Sequence, residues 1–564
     1  MENKEYMLID GNPVEINGEK NLLEVIRKAG IELPTFCYHS ELSVYGACRM
    51  CMVENSHGGM EAACSTVPKA GMEIYTNTER LHKHRKMILE LLLANHCRDC
   101  TTCQKNGKCR LQELASLFGL ESIRFKNLKP EPELDTSSLS IVRDAHKCIL
   151  CGDCVRMCNE IQNVGAIDFV NRGSKMVIGP AFNEPIANSP CVGCGQCAAV
   201  CPTGAIVIRK DTGRVWPELN DKNTKVVAQV APAVRVAMAK EFGLPENENS
   251  MGRITAALRR LGFDEVYDTA TGADLTVLEE SNEFLQRIEA GENLPLITSC
   301  CPAWIQYCEK NHPELMKNIS TCKSPMQMFS SVIKAKYATS SRRVVCVAVM
   351  PCTAKKFECA REEFMHDGVP ETDYVITTQE LIQMIHKAGI VFDELEPEAV
   401  DSVFSTCTGA GVIFGVTGGV TEAVLRRLST DKSNKALMSI AFNDVRGMKG
   451  VKETTIPYGD KEVRIAIVSG LKNAEKIIQA LKNGEHFDFI EVMACPGGCV
   501  AGGGQPFGTN ATKEVRGKAL YSADKMLSIK RSEENPLMIS LYDGVLKGRV
   551  HELLHVHYNH KEEE

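Results

Sequence analysis

Tyr6 to Ile9 and Val14 to Ile16 are short strand-forming runs on either side of Asp10-Gly11-Asn12, a pattern that predicts a β-hairpin with turn residues at its tip. A helix is predicted next: Asn21 caps it, Leu22, Leu23 and Ile26 make its apolar face, and Gly30 ends it ahead of Pro34. Residues 81–95 read as a second helix leading into a Cys/His-rich segment, and the polar stretch holding Pro130 and Pro132 reads as a linker. From about residue 222 onward, hydrophobic strands alternate with amphipathic helices such as Ile254 to Leu261 and Leu275 to Ile288, the pattern of an α/β domain.

Composition bounds what these elements build. With 564 residues, 44% of them hydrophobic, the chain has material for about three to four cores. The net charge of −7 arises from 65 basic and 72 acidic residues with no long single-sign run, so nucleic acid is not an expected partner. The N-terminus MENKEYMLID lacks a basic start followed by an apolar stretch, and no window reaches the roughly 18 apolar residues of a membrane span; a soluble, cytoplasmic protein is expected. The 26 cysteines change the picture most. They cluster tightly, and in a reducing compartment that pattern predicts metal binding rather than disulfides.

Cys37, Cys48, Cys51 and Cys64 follow the hairpin and helix, the order expected of a β-grasp ferredoxin module carrying a two-iron cluster over residues 1–80. The ten-residue first gap resembles the N-terminal module shared by hydrogenases and the large iron-sulfur subunit of respiratory NADH dehydrogenases; a small zinc site is the bland alternative. His96, Cys100, Cys103 and Cys109, in a unit spanning 81–125, resemble the one-histidine, three-cysteine cluster site of the same two families. An imidazole in place of a thiolate removes a negative charge and raises the potential, which suits a branch point for electrons.

Within 138–210 the segments CILCGDCVRMC and CVGCGQCAAVCP form an internal duplication. Cys148, Cys151, Cys154, Cys158 and Cys191, Cys194, Cys197, Cys201 have the spacing of bacterial two-cluster ferredoxins, in which Cys201 goes to the first cube and Cys158 to the second. Asn159 stands where the first copy departs from the proline that Pro202 supplies in the second.

In residues 222–564 three apolar runs each end in cysteine: Pro295 to Thr298 before Ser299-Cys300-Cys301, Val344 to Met350 before Pro351-Cys352, and Phe489 to Met493 before Ala494-Cys495 and the nearby Cys499. Ligands collect at the carboxyl ends of strands in open α/β sheets, so Cys301, Cys352, Cys495 and Cys499 are expected to meet and hold a fifth cluster. TSCCPAW, MPCTAKKFE and EVMACPGGCVAGGGQP resemble the three signature motifs of iron-iron hydrogenases, and HELLH near the C-terminus fits the same family. The resemblance runs along essentially the whole chain, which makes it an α+β multidomain protein. The catalytic subunits of multi-subunit, NAD(P)-linked enzymes are especially similar.

That resemblance implies a six-iron H-cluster: a four-iron cube on the four cysteines just named, with Cys499 also bridging to a diiron subsite bearing carbon monoxide, cyanide and azadithiolate. It implies Lys355 and Ser299 as donors to cyanide, and Ala231, Pro232, Met350 and Met493 as pocket walls, although plain packing explains the methionines equally well. It implies Cys300 as proton carrier, its thiol a far better acid than an alcohol, with the relay continuing through Glu280, Ser320, Glu283 and Arg287. Without that resemblance, Glu283 and Arg287, four apart on a helix, read as an exposed ion pair of little consequence.

The expected reaction is the reversible conversion of hydrogen to protons and electrons. One [2Fe-2S] and three accessory [4Fe-4S] clusters would connect it to ferredoxin, to NAD(P)-binding diaphorase subunits, or to both, after hydrogenase maturation proteins have supplied the diiron unit. GAGVIFG at Gly409 to Gly415 lacks dinucleotide-binding spacing, so nicotinamide chemistry needs a partner. Two rivals are a pure electron-transfer subunit, which needs no Cys300-Cys301 pair, and a non-catalytic relative such as a hydrogen sensor or iron-sulfur assembly factor, which needs no Cys300, Lys355 or carboxylate relay. Cys97, Cys308, Cys322, Cys346, Cys359 and Cys407 have no ligand role in this scheme; small buried hydrophobes are the expected role for the last five.

Overall fold

Asp10 and Gly11 both adopt positive φ, 50° and 81°, which closes the two-residue turn that the right-handed twist of paired strands requires. The strands Glu5–Ile9 and Asn12–Ile16 pair antiparallel around it, Ile9 opposite Asn12. Asn21 accepts the Glu24 N–H at 3.1 Å to start the helix Leu22–Lys28, whose Leu22, Leu23, Val25 and Ile26 are buried. A computed structural model describes residues 5–127, 134–429, 445–458 and 461–558. The Pro130 and Pro132 linker lies outside the described residues.

The hairpin belongs to a five-stranded sheet completed by Met52–Asn55, Met60–Ala62 and Glu73–Tyr75. Thr78 caps the following helix, Glu79–Ala94, by accepting from the Leu81 N–H. The duplicated cysteine segments fold back on each other, with Ile141–Arg143 pairing antiparallel to Ile206–Ile208.

The largest region holds two separate four-stranded sheets. One is wholly parallel, in the order Glu265–Asp268, Thr224–Val230, Arg343–Met350, Tyr374–Thr377. The other runs Leu296–Ile297, Phe489–Met493, Lys461–Ser469, Val451–Tyr458, its last pair antiparallel. The three cysteine-ending runs are therefore divided between two sheets, and their carboxyl ends face a common centre. The helix Ala270–Ala290 passes through this region buried over most of its first three turns, which is why it carries Asp274 and Glu280 at zero exposure. Among the described residues no helix is long and apolar enough to cross a membrane.

Candidate active site and cluster sites

Cys301, Cys352, Cys495 and Cys499 come together on one cavity of about 800 Å³. Cys300, Lys355, Ala231, Pro232, Met350 and Met493 line the same cavity. Sequence reasoning missed Pro325, Met326 and Phe414, which complete its apolar wall; at their positions the pattern reads as ordinary packing. Gly498 has φ +91°, and a Cβ there would stand 2.6 Å from Thr417 N and 3.1 Å from Met493 Sδ, so only glycine fits this turn of the cysteine loop.

Four thiols placed around a void suit a four-iron cube, which needs one protein sulfur per iron. Among the described residues lining this cavity there is no carboxylate, and no three His, Cys, Asp or Glu side chains close on the position of a single ion. Burial pushes the Cys352 thiol up to about 11, so without metal the thiols are neutral, and they release protons when iron takes their place.

The ferredoxin-like cysteines separate into two sets. Cys148, Cys151, Cys154 and Cys201 line a void of about 390 Å³, and Cys158, Cys191, Cys194 and Cys197 line another of about 400 Å³. The fourth cysteine of each segment thus faces the void of the other. Gly195 opens the short helix that carries Cys197 with φ +70°, and a Cβ there would meet Thr353 Oγ1 at 2.4 Å. Thr353 donates that hydroxyl to the Gly193 carbonyl at 2.7 Å, joining the second void to the cavity loops.

Cys48 N–H donates to Cys37 Sγ at 3.3 Å, while Cys51 and Cys64 form a second adjacent thiol pair. Cys103 and Cys100 are the thiols that act on Cys109. His96 accepts the Arg98 N–H at Nδ1, 3.1 Å away.

Beyond Cys300 lies a file of polar groups in an apolar setting. Burial first, then the Glu280 charge, pushes the Cys300 thiol up. Glu280 is fully buried with neither carboxyl oxygen in a hydrogen bond, and burial, followed by the charge of the neighbouring Glu283, pushes it up to about 8. Ser320 donates to Glu283 Oε2 at 2.7 Å, and Arg287 pairs with Glu283 Oε1 at 2.5 Å. Arg287 also donates to the carbonyls of Asn318 and Ile319. The ion pair expected on an exposed helix face is therefore a clamp only 12% and 11% exposed at its side chains.

Ser299 is not among the cavity-lining residues; it donates to the Cys322 carbonyl at 2.5 Å. Cys322 is buried, yet its thiol also reaches Glu283 Oε2 at 3.8 Å and does more than fill space. Lys355 bridges the Cys300 carbonyl at 3.2 Å and Glu358 at 2.8 Å, which fixes its ammonium at the cavity wall. His555, from the HELLH segment, contacts Thr321 Oγ1 at 2.8 Å and Glu279 at 3.0 Å and so covers the outer end of this file.

The chain matches known families along its length. A family model described as "Iron only hydrogenase large subunit, C-terminal domain" matches residues 224–503, and one described as "Iron hydrogenase small subunit" matches 510–561. Ahead of them are matches to a "2Fe-2S iron-sulfur cluster binding domain" at 6–79, the "NADH-ubiquinone oxidoreductase-G iron-sulfur binding region" at 85–124 and a "4Fe-4S dicluster domain" at 147–209. The chain is 41% identical to the NADP-reducing hydrogenase subunit HndD of Solidesulfovibrio fructosivorans, over 98% of each chain. It is 35% identical to iron hydrogenase 1 of Clostridium pasteurianum, covering 98% of this chain and 99% of that one. A solved structure of a variant of the [FeFe]-hydrogenase HydA1 from Chlamydomonas reinhardtii superposes with a TM-score of 0.54 at 37% identity, covering 62% of this chain and 98% of that one.

Proposed function

The chain belongs to the iron-only hydrogenase family, and from that premise we propose that it interconverts molecular hydrogen with two protons and two electrons in the cavity shared by Cys300 and Cys301. The observation that carries this reading is the meeting of four thiols from distant loops on one apolar cavity beside a fifth thiol, Cys300. In this reading Cys301, Cys352, Cys495 and Cys499 would hold the cube, with Cys499 also serving the diiron subsite, and Lys355 with the walls Ala231, Pro232, Met350 and Met493 would seat that subsite. Bound there, the H-cluster supplies the iron that cleaves or forms hydrogen and the store for its electrons.

The protein's own work is to move protons and exclude water. Cys300 stands at the cavity wall and passes a proton outward to Glu280, which burial favours in its protonated form and which therefore hands on its own proton toward Ser320 as it takes the one from Cys300. Ser320 and Glu283 take it on, and Arg287 holds Glu283 in place while offsetting its charge. The apolar lining keeps bulk water from short-circuiting that route. Ser299 acts at one remove, by fixing the Cys322 segment.

Electrons leave by a separate way. The unit 138–210 carries two cubes on crossed cysteines, 81–125 a cube on His96, Cys100, Cys103 and Cys109, and 1–80 a β-grasp [2Fe-2S] module on Cys37, Cys48, Cys51 and Cys64. The match to an NADH-ubiquinone oxidoreductase region and the likeness to an NADP-reducing subunit favour an NAD(P)-linked diaphorase partner over ferredoxin.

The test is anaerobic expression with and without hydrogenase maturation proteins, followed by iron analysis and a hydrogen assay. Expected are about 20 irons, about four of them in each of three accessory cubes, and turnover only after maturation. Fully loaded protein that neither makes nor consumes hydrogen would overturn the reading.

A further inference from the structure

Gln196 lies between two expected ligands of one cube, Cys194 and Cys197, yet its side chain reaches a ligand of another. Its amide nitrogen donates to Cys495 Sγ at 3.1 Å and to the Ala501 carbonyl at 2.9 Å. Both partners are acceptors, so the amide orientation is settled by its surroundings: the NH₂ group must face them. The side chain is 6% exposed and sits in a backbone-on-backbone junction, since a Cβ on Gly503 would stand 2.4 Å from the Cys194 carbonyl. The glycines of the cysteine loop therefore allow the two cube-holding segments to approach closely enough for one side chain to span them.

We infer that Gln196 is a positioning residue that sets the reduction potential of the catalytic cube through its hydrogen bond to Cys495, and ties that cube to its accessory neighbour. A hydrogen bond to a cluster thiolate grows stronger as negative charge accumulates on the sulfur. It therefore favours the state with one more electron. Cys495 has no other hydrogen-bond donor among the described residues to share this work, and the surrounding wall is apolar, which magnifies a single dipole. The same amide holds Ala501 two residues beyond Cys499, so the geometry of two cube ligands depends on it.

The inference rests on the assignment of Cys495 as a cube ligand, and the experiment separates the two. Full-length, iron-loaded protein is titrated electrochemically under electron paramagnetic resonance, with iron counted in parallel. The wave that Cys495→Ser removes identifies the catalytic cube; if Cys495→Ser removes neither a wave nor iron, the ligand assignment itself fails. In Gln196→Met, with iron intact, the reduced-to-oxidised ratio of that wave at a fixed potential should fall about tenfold, a shift of about 59 mV for one electron, with the other waves unmoved. Gln196→Asn, which keeps a donor on a shorter stem, should fall between the two. An unmoved wave in iron-replete Gln196→Met overturns the inference, as does loss of iron in both variants, which would make Gln196 a structural tie alone.

Discussion

Ser320 donates its hydroxyl to Glu283 Oε2 at 2.7 Å, while the other Glu283 oxygen is held by Arg287 at 2.5 Å. One oxygen is thus anchored by Arg287, and the other takes the Ser320 hydroxyl, the Thr321 N–H at 3.0 Å and the Cys322 thiol at 3.8 Å. Ser320→Ala removes the hydroxyl donor of that oxygen without altering any expected cluster ligand. Hydrogen turnover should drop on the order of 10²-fold, as for loss of a general acid-base step, while iron content stays at the parent level. Full turnover in Ser320→Ala would redirect the proton route elsewhere.

Glu280 binds its proton more tightly in the fold, at about 8, than an ordinary carboxyl does near 4.5. The native state therefore holds more protons than the unfolded chain between those values. By linkage, stability falls as pH rises from about 4.5 to about 8 and levels off above, because the buried carboxylate must then ionise without a partner. Glu280→Gln should abolish that portion of the fall, so that the variant gains on the parent as pH rises through the window, and should lose most turnover. Denaturation followed at several pH values checks the first, a hydrogen assay the second.

Cys300 lines the cavity but is dispensable as a ligand if Cys301 fills that place. Cys300→Ser should retain the iron and lose most turnover, since an alcohol is a far weaker acid than a thiol. Iron counting with a hydrogen assay decides it; unchanged turnover takes Cys300 out of the relay.

Gly195→Ala probes the junction with the accessory clusters. Its Cβ would meet Thr353 Oγ1 at 2.4 Å, at a backbone φ of +70° that an L side chain rarely adopts. The expected outcome is loss of about four irons of about 20, those of the cube on Cys158, Cys191, Cys194 and Cys197. Unaltered iron would mean that the loop yields without strain.

Local order was readable wherever the signal lay within a few residues. The Asp10-Gly11 turn, the Asn21 cap and the helices near 81–95, 254–261 and 275–288 stand where turn chemistry and apolar spacing place them. The facing of Cys158 and Cys201 toward each other's voids was also readable, because the spacing of the duplicated cysteines forces it. What periodicity could not convey is which distant groups meet. Strands ending at Met350 and Met493 look alike in sequence but lie in different sheets. Glu283 and Arg287 look exposed because the residues that cover them, Asn318 to Cys322 and the HELLH segment, are far along the chain. Gln196 looks like any polar residue between two cysteines, and Ser299 gives no sign that its hydroxyl turns toward Cys322.

His555 reaches Thr321 across 234 positions, and the backbone of Val556 pairs with the Thr321 carbonyl beside it. The segment Thr321 belongs to, whose N–H also binds Glu283, is thus tied down by residues almost at the far end of the chain. A chain halted short of the HELLH segment would keep the four cavity thiols while lacking these ties to Thr321 and the His555 contact with Glu279.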